Sequence, residues 1–164
     1  MKRLQRRVKR TRRGDYELRI PQVERDVLRT LPGELRKVLS SDDPARSRLF
    51  PPAYGDDAQR SEEFERLVGS DLLAQRMGSI EIMESTIDAE RVDEDQLLAW
   101  LGAINDLRLV LGTRLEVTED DSIEIPDTDP RVGAYALYYY LGWLEEQVVA
   151  ELATGVDPAG TARD

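Results

Sequence analysis

Apolar and charged residues alternate over residues 16–20, so that every second side chain points to the same side of the backbone. The apolar members are Tyr16, Leu18 and Ile20. A period of two predicts a half-buried β-strand, and the Gly-Asp pair just before it supplies a turn. Residues 8–12 are therefore expected to form the partner strand of a hairpin. Because an isolated hairpin is marginal in water, this one must pack its apolar face on helices.

Four longer segments repeat apolar residues at helical spacing, and they are residues 21–40, 61–88, 93–115 and 129–155. The third is apolar around so much of its circumference that we expect it to be the central helix, contacted on several sides. Two consecutive prolines in the motif LFPPAY, residues 49–54, predict a fixed loop between the first two helices.

Residues with strong conformational preferences mark the helix ends. Asp93 with Gln96 three residues later predicts a capping box. Asp129, followed by a proline, predicts the N-cap of the last helix, and Gly155 its end. Pro32 is expected to kink or interrupt the first helix.

These elements predict a mainly α fold, a compact bundle of about four to five helices with a short N-terminal β-hairpin at about residues 6–20. Residues 1–155 are expected to form a single domain and residues 156–164 a flexible tail. At 164 residues the chain is long enough to bury roughly 70% of the surface of its unfolded form.

The composition removes most catalytic chemistry. The chain contains neither cysteine nor histidine, which excludes disulfides, thiolate nucleophiles, Ser-His-Asp triads and nearly all transition-metal sites. The acidic stretch at residues 116–129 lacks the glycine and the alternating acids of a calcium-binding EF-hand loop. We therefore expect no enzyme activity, catalytic residue, metal site or cofactor.

No apolar stretch approaches the roughly 20 residues that span a bilayer. The basic N-terminus lacks the apolar segment of a secretory signal. We expect no membrane association and a cytoplasmic location.

Charge is distributed very unevenly along the chain. Residues 1–13 carry eight of the 23 basic residues and no acid, which leaves 15 basic against 33 acidic residues, a net charge of −18, in the remainder. Such a basic arm is typical of a contact with nucleic acid or with an acidic protein. The alternative is neutralisation by acids of the same chain. The candidate binding residues in this arm are Arg6, Arg7, Lys9, Arg10, Arg12 and Arg13.

The last helix is dense in aromatic residues, which are enriched in protein-binding hot spots. Consecutive helical residues are about 100° apart, so three consecutive tyrosines cannot all face one core. Tyr138, Tyr139 and Trp143 are candidate contacts for a partner or for a second copy of the chain. The alternative is ordinary packing at the rim of the core, with hydroxyls in water.

Three motifs carry a family resemblance: LFPPAY at residues 49–54, INDLRLVLGTRLEVTED at residues 104–120 and YALYYYLGWLEE at residues 135–146. With the arginine-rich start and the short strand, this series resembles the AosR family of small actinobacterial proteins. The resemblance implies an oxidative-stress regulator of transcription that contacts a stress sigma factor and senses redox state through cysteines. This chain has no cysteine, so a thiol switch cannot operate in it.

We therefore expect a non-catalytic regulatory protein that binds a component of the transcription machinery, such as a sigma factor or RNA polymerase subunit. No helix-turn-helix signature occurs, and nucleic acid is expected to bind only through the N-terminal arm. The alternative is a homo-oligomeric structural or adaptor protein whose aromatic helix forms its own interface.

Overall fold

The computed structural model describes residues 5–50, 58–117 and 126–155. The mainly helical class is confirmed, since five helices and a small N-terminal strand pair occur among these residues. The predicted tail, residues 51–54 of the LFPPAY motif and residues 118–125 of the acidic stretch lie outside them. In chain order the elements are β1 (Val8–Arg10), β2 (Tyr16–Leu18), α1 (Gln22–Leu39), α2 (Arg46–Leu49), α3 (Ala58–Ser85), β3 (Arg91–Val92), α4 (Glu94–Arg114) and α5 (Val132–Thr154).

The predicted hairpin is present, and a third strand extends it. β1 pairs antiparallel with β2, placing Val8 opposite Leu18, and β2 pairs antiparallel with β3, placing Tyr16 opposite Val92. These four apolar side chains are all buried. β3 was not predicted, because a strand of two residues is too short to display an alternating pattern.

The capping box at the start of α4 is confirmed. The backbone N–H of Gln96 donates to Asp93 Oδ1 at 2.7 Å, and the backbone N–H of Asp93 donates to Gln96 Oε1 at 2.9 Å. The prediction for Asp129 is wrong, since α5 begins at Val132. Asp129 instead forms a turn, in which its carbonyl accepts from the Val132 N–H and its carboxylate from the Arg131 N–H.

Pro32 does not interrupt α1, which runs without a break from residue 22 to residue 39. The proline is itself buried, and the residues one turn on either side of it, including Leu28 and Leu35, lie in the core. Apolar burial on both sides of the proline offsets the backbone hydrogen bond that it cannot donate.

α4 is the central helix, as predicted, and contacts α1, α2, α3 and α5. Its Leu97, Trp100 and Ile104 are at most 1% exposed. The indole N–H of Trp100 donates to Thr86 Oγ1 at 2.7 Å, so the largest core side chain also satisfies its polar atom.

Arg25 of α1 is buried and forms no ion pair with the residues that the structure describes. Its guanidinium donates to backbone carbonyls on both sides of it, those of residues 18 and 20 in the sheet segment and those of residues 87 and 89 after α3, at 2.6 to 3.0 Å. One side chain thus ties β2 and the start of α1 to the end of α3.

Candidate functional site

Residues 5–13, the described part of the basic arm, are folded against the body, and Arg7 is the centre of their attachment. The Arg7 guanidinium forms two hydrogen bonds to the Glu24 carboxylate, at 2.8 and 2.9 Å. It also lies over the ring of Trp143, 5.2 Å from the ring centroid, and the Tyr140 hydroxyl donates to Glu24 at 2.8 Å. We call these four residues the Arg7 clasp; they join the arm to both α1 and α5.

The electrostatics of the clasp favour its charged form. The hydrogen bond from Arg7 holds the pKa of Glu24 below its ordinary value, against the opposing and smaller effect of burial. Burial, reinforced by the neighbouring Glu24 carboxylate, raises the pKa of Tyr140 well above its ordinary value. At neutral pH Glu24 is therefore ionised and Tyr140 is protonated, which is the state that the hydrogen bond between them requires.

Two polar side chains of α5 cover the outer edge of β1. Gln147 Oε1 accepts the backbone N–H of Arg7 at 2.6 Å, and Glu151 accepts the backbone N–H of Arg10 at 2.9 Å. Glu151 also accepts from Arg6 Nη1 at 3.1 Å. Trp143, Gln147 and Glu151 follow one another at intervals of four residues, so a single face of α5 holds the arm.

The six basic candidates from the arm occupy different environments. Arg6 pairs with Glu151 of α5 and Arg7 with Glu24 of α1, so both are neutralised by acids of the same chain, as the second alternative requires. Arg10 is exposed, with its Nε beside Gly155, where α5 ends. The three remaining candidates are exposed and form no ion pair with the described residues; they are Lys9, Arg12 and Arg13.

The aromatic candidates also separate. Trp143 is half-buried beneath Arg7, and Tyr138 is half-buried with the Arg108 guanidinium 4.9 Å from its ring centroid. Tyr139 is 52% exposed. Of the three, only Tyr139 presents a mostly open ring to solvent.

An apolar groove of about 280 Å³ lies between α1 and α5, next to the clasp. Val23 and Val27 form its α1 wall and are 72% and 44% exposed. Its lining residues are Val23, Glu24, Val27, Gly133, Ala136, Leu137 and Tyr140. Glu24 and Tyr140 belong to both the groove and the clasp, so the arm fixes one end of the groove.

Val23 and Val27 belong to the apolar repeat that predicts the first helix, but both are exposed, unlike its buried members. The sequence did contain a signal for this difference. The apolar stripe of α1 is wider than its buried part, since Val23 and Val27 extend it beyond Leu28 and Leu35. An apolar stripe wider than its buried part indicates a second contact surface.

Comparison with known proteins identifies the family. The model of a family described as a domain of unknown function, DUF2017, matches residues 5–152. The chain belongs to the DUF2017 family. This range contains residues 5–13 of the arm, the clasp and the groove, so all three features lie within the family domain.

This DUF2017 chain is similar to proteins named oxidative stress regulator AosR in Mycobacterium bovis and Mycobacterium tuberculosis, which confirms the AosR resemblance. Identity to each is 30% over 128 residues, covering 67% of this chain and 58% of the relative. A putative oxidative stress regulator AosR of Mycobacterium leprae is 30% identical over 129 residues, covering 68% of this chain and 59% of the relative. The chain thus spans less than two thirds of these relatives. No solved structure matches it.

Within the described part of the DUF2017 chain, no group of three acidic side chains is placed to hold a metal ion. None of the helices described is long and apolar enough to cross a membrane. The groove offers methyl groups, one aromatic ring and a carboxylate already bonded to Arg7, which is chemistry suited to binding an apolar side chain.

Proposed function

We propose that this DUF2017 chain is a non-catalytic regulatory protein that acts by binding another protein in the α1–α5 groove. The observation that carries the proposal is the exposure of Val23 and Val27 in a concave surface. Contiguous apolar surface on an otherwise strongly acidic body costs solubility unless a partner covers it. The names of the mycobacterial relatives support a regulatory role in the response to oxidative stress.

The shape of the groove favours a protein segment over a small molecule. Its volume of about 280 Å³ is at the lower limit of the roughly 300 to 1,000 Å³ usual for small-molecule pockets. The walls of the groove are two helices. Such a groove suits the apolar face of a third helix, whose side chains at positions i, i+3 and i+4 enter it. The Arg7 clasp holds Glu24 and Tyr140 in place, so this end of the groove is formed before the partner arrives.

The partner we propose is a component of the transcription machinery, such as a sigma factor or an RNA polymerase subunit. The AosR resemblance supports this choice. Because the chain contains no cysteine, a redox signal sensed by a thiol must reach the complex through another molecule.

The test is co-purification of the tagged chain from its own cells, grown with and without an oxidant. Val27→Glu places a charge in the groove, and Val149→Glu is the matched control, since Val149 is 49% exposed and lies outside the groove. We expect a sigma factor or polymerase subunit to accompany the unchanged chain and Val149→Glu but not Val27→Glu. Absence of any such component, or its retention by Val27→Glu, contradicts the proposal.

A second candidate function is a homo-oligomeric structural or adaptor protein. It is favoured by exposed apolar side chains on α4 and α5 outside the groove, namely Leu98, Leu109 and Val149. Light scattering distinguishes the two, because this candidate requires a dimer at micromolar concentration that Val149→Glu dissociates. A monomer under these conditions excludes it.

A further inference from the structure

The outer face of the three-stranded sheet carries a row of charges. Lys9 on β1 lies opposite Glu17 on β2, which in turn lies opposite Arg91 on β3. Lys9 and Arg91 are exposed, and Arg19, just beyond β2, donates to Glu17 at 3.2 Å. Val8 and Leu18, which point the other way, are buried. The face that carries the charges is therefore the solvent face of the sheet.

The turn between β1 and β2, which adjoins this face, carries two further cations, Arg12 and Arg13, both exposed. We call the five cations Lys9, Arg12, Arg13, Arg19 and Arg91 the basic sheet face. Their one ion pair with a described residue is the pair from Arg19 to Glu17, which lies within the face. Arg19 and Arg91 were not candidates from the sequence, because they lie outside the run of basic residues 1–13; Arg91 is brought to it only by the register of β3.

Three arginines elsewhere on the described surface are differently placed. Arg29, Arg36 and Arg114 form ion pairs with Asp88, Glu84 and Asp43, respectively, which come from other segments of the chain. The five cations of the basic sheet face have no such pair with another segment of the described chain; Glu17 lies among them, and Asp15 in the turn accepts from Thr11. The face is therefore an unbalanced surface that favours an anionic partner.

We propose that the basic sheet face binds a short acidic segment of another protein. Neighbouring strands are about 4.8 Å apart, so Lys9 and Arg91 are separated by about 10 Å, a span that a few carboxylates of an extended peptide cover. Nucleic acid suits the face less well. Tyr16, the aromatic residue of β2, points into the core and offers no ring for base stacking, and a longer duplex would meet the acidic body.

The proposal does not depend on the groove. Its test measures, by fluorescence anisotropy, the binding of a labelled acidic octapeptide of Asp, Glu and Ser. The probes for comparison are the same peptide with Asn and Gln in place of the acids, and a single-stranded octanucleotide. We expect saturable binding of the acidic peptide that weakens steeply with salt, and weaker binding of both other probes.

The decisive variant is the double substitution Arg19→Glu and Arg91→Glu, which should weaken peptide binding at least about tenfold. The matched control is Lys37→Glu with Arg48→Glu, two exposed cations far from the sheet face in sequence, with the same change in net charge. Circular dichroism establishes that both double variants are folded.

Three outcomes overturn the proposal: no saturable binding of the acidic peptide at low salt, equal weakening by the two double variants, or tighter binding of the octanucleotide than of the peptide. Val27→Glu is expected to leave peptide binding unchanged. A failure of the groove proposal is thereby distinguished from a failure of this one.

Discussion

The two halves of α5 show how differently one helix is used. In the C-terminal half, Trp143, Gln147 and Glu151 each hold a group of the N-terminal arm. In the N-terminal half, Ala136 and Leu137 line an open groove whose opposite wall is formed by exposed valines. Polar side chains close the sheet end of the molecule, whereas apolar side chains remain open at the groove. One helix therefore has a half that the arm of the same chain covers and a half that is open to solvent.

The largest expected effect is at Arg25, which ties the sheet end of the molecule to α1 and to the end of α3. Arg25→Met leaves four backbone carbonyls without their buried donor, so we expect the free energy of unfolding to fall by about 3 to 4 kcal/mol. Arg25→Lys keeps the charge but cannot reach carbonyls on both sides, and should recover less than half of the loss. Urea unfolding measures both values; a loss below about 1 kcal/mol would show that water replaces the guanidinium.

The next effect tests whether the Arg7 clasp acts as a unit. Arg7→Met removes the cation from a mostly buried pair and should cost about 2 kcal/mol, since Glu24 keeps the Tyr140 hydroxyl as a donor. In a double-mutant cycle with Glu24→Gln we expect a coupling energy of about 1 to 2 kcal/mol. Trp143 fluorescence should shift in Arg7→Met, because the cation over its ring is lost. Additive effects would mean that the two side chains do not stabilise each other.

The same clasp has a defined pH dependence. The folded pKa of Glu24 lies below its ordinary value of 4.5, so the unfolded chain takes up the proton first. The stabilisation is therefore complete above pH 4.5 and is lost as the pH falls through the folded pKa. Glu24→Gln should flatten this part of the stability curve, measured by urea unfolding at a series of pH values.

Asp106 provides a contrast of opposite sign. Burial raises its pKa above 3.8, although the Arg76 side chain that pairs with it acts in the other direction. Its contribution to stability therefore declines as the pH rises from 3.8 to the folded pKa. Asp106→Asn should remove that decline. If Glu24→Gln and Asp106→Asn changed the slope of stability against pH in the same direction, the assignment of the two signs would be contradicted.

Much of the scaffold followed from sequence because its signals are local. The alternation around Tyr16 and the Asp93 capping box act between near neighbours, and the apolar circumference of α4 made its central position predictable. The site depended on long-range contacts. Packing brings Arg7 to Glu24, 17 residues away, and brings Glu151 to β1, more than 140 residues away. The charge pattern of the sequence does not encode this packing.

The smallest effect is expected at Tyr139, in the N-terminal half of α5. Its ring is 52% exposed, so Tyr139→Ser should change the free energy of unfolding by less than about 0.5 kcal/mol. Tyr140→Phe, its neighbour in the clasp, should cost about 1 kcal/mol, because it deletes the hydroxyl that donates to Glu24. Thermal unfolding ranks the two directly. If Tyr139→Ser proved the more harmful of the pair in the isolated chain, its ring would be packed against the protein itself, and the N-terminal half of α5 would not be open at this position.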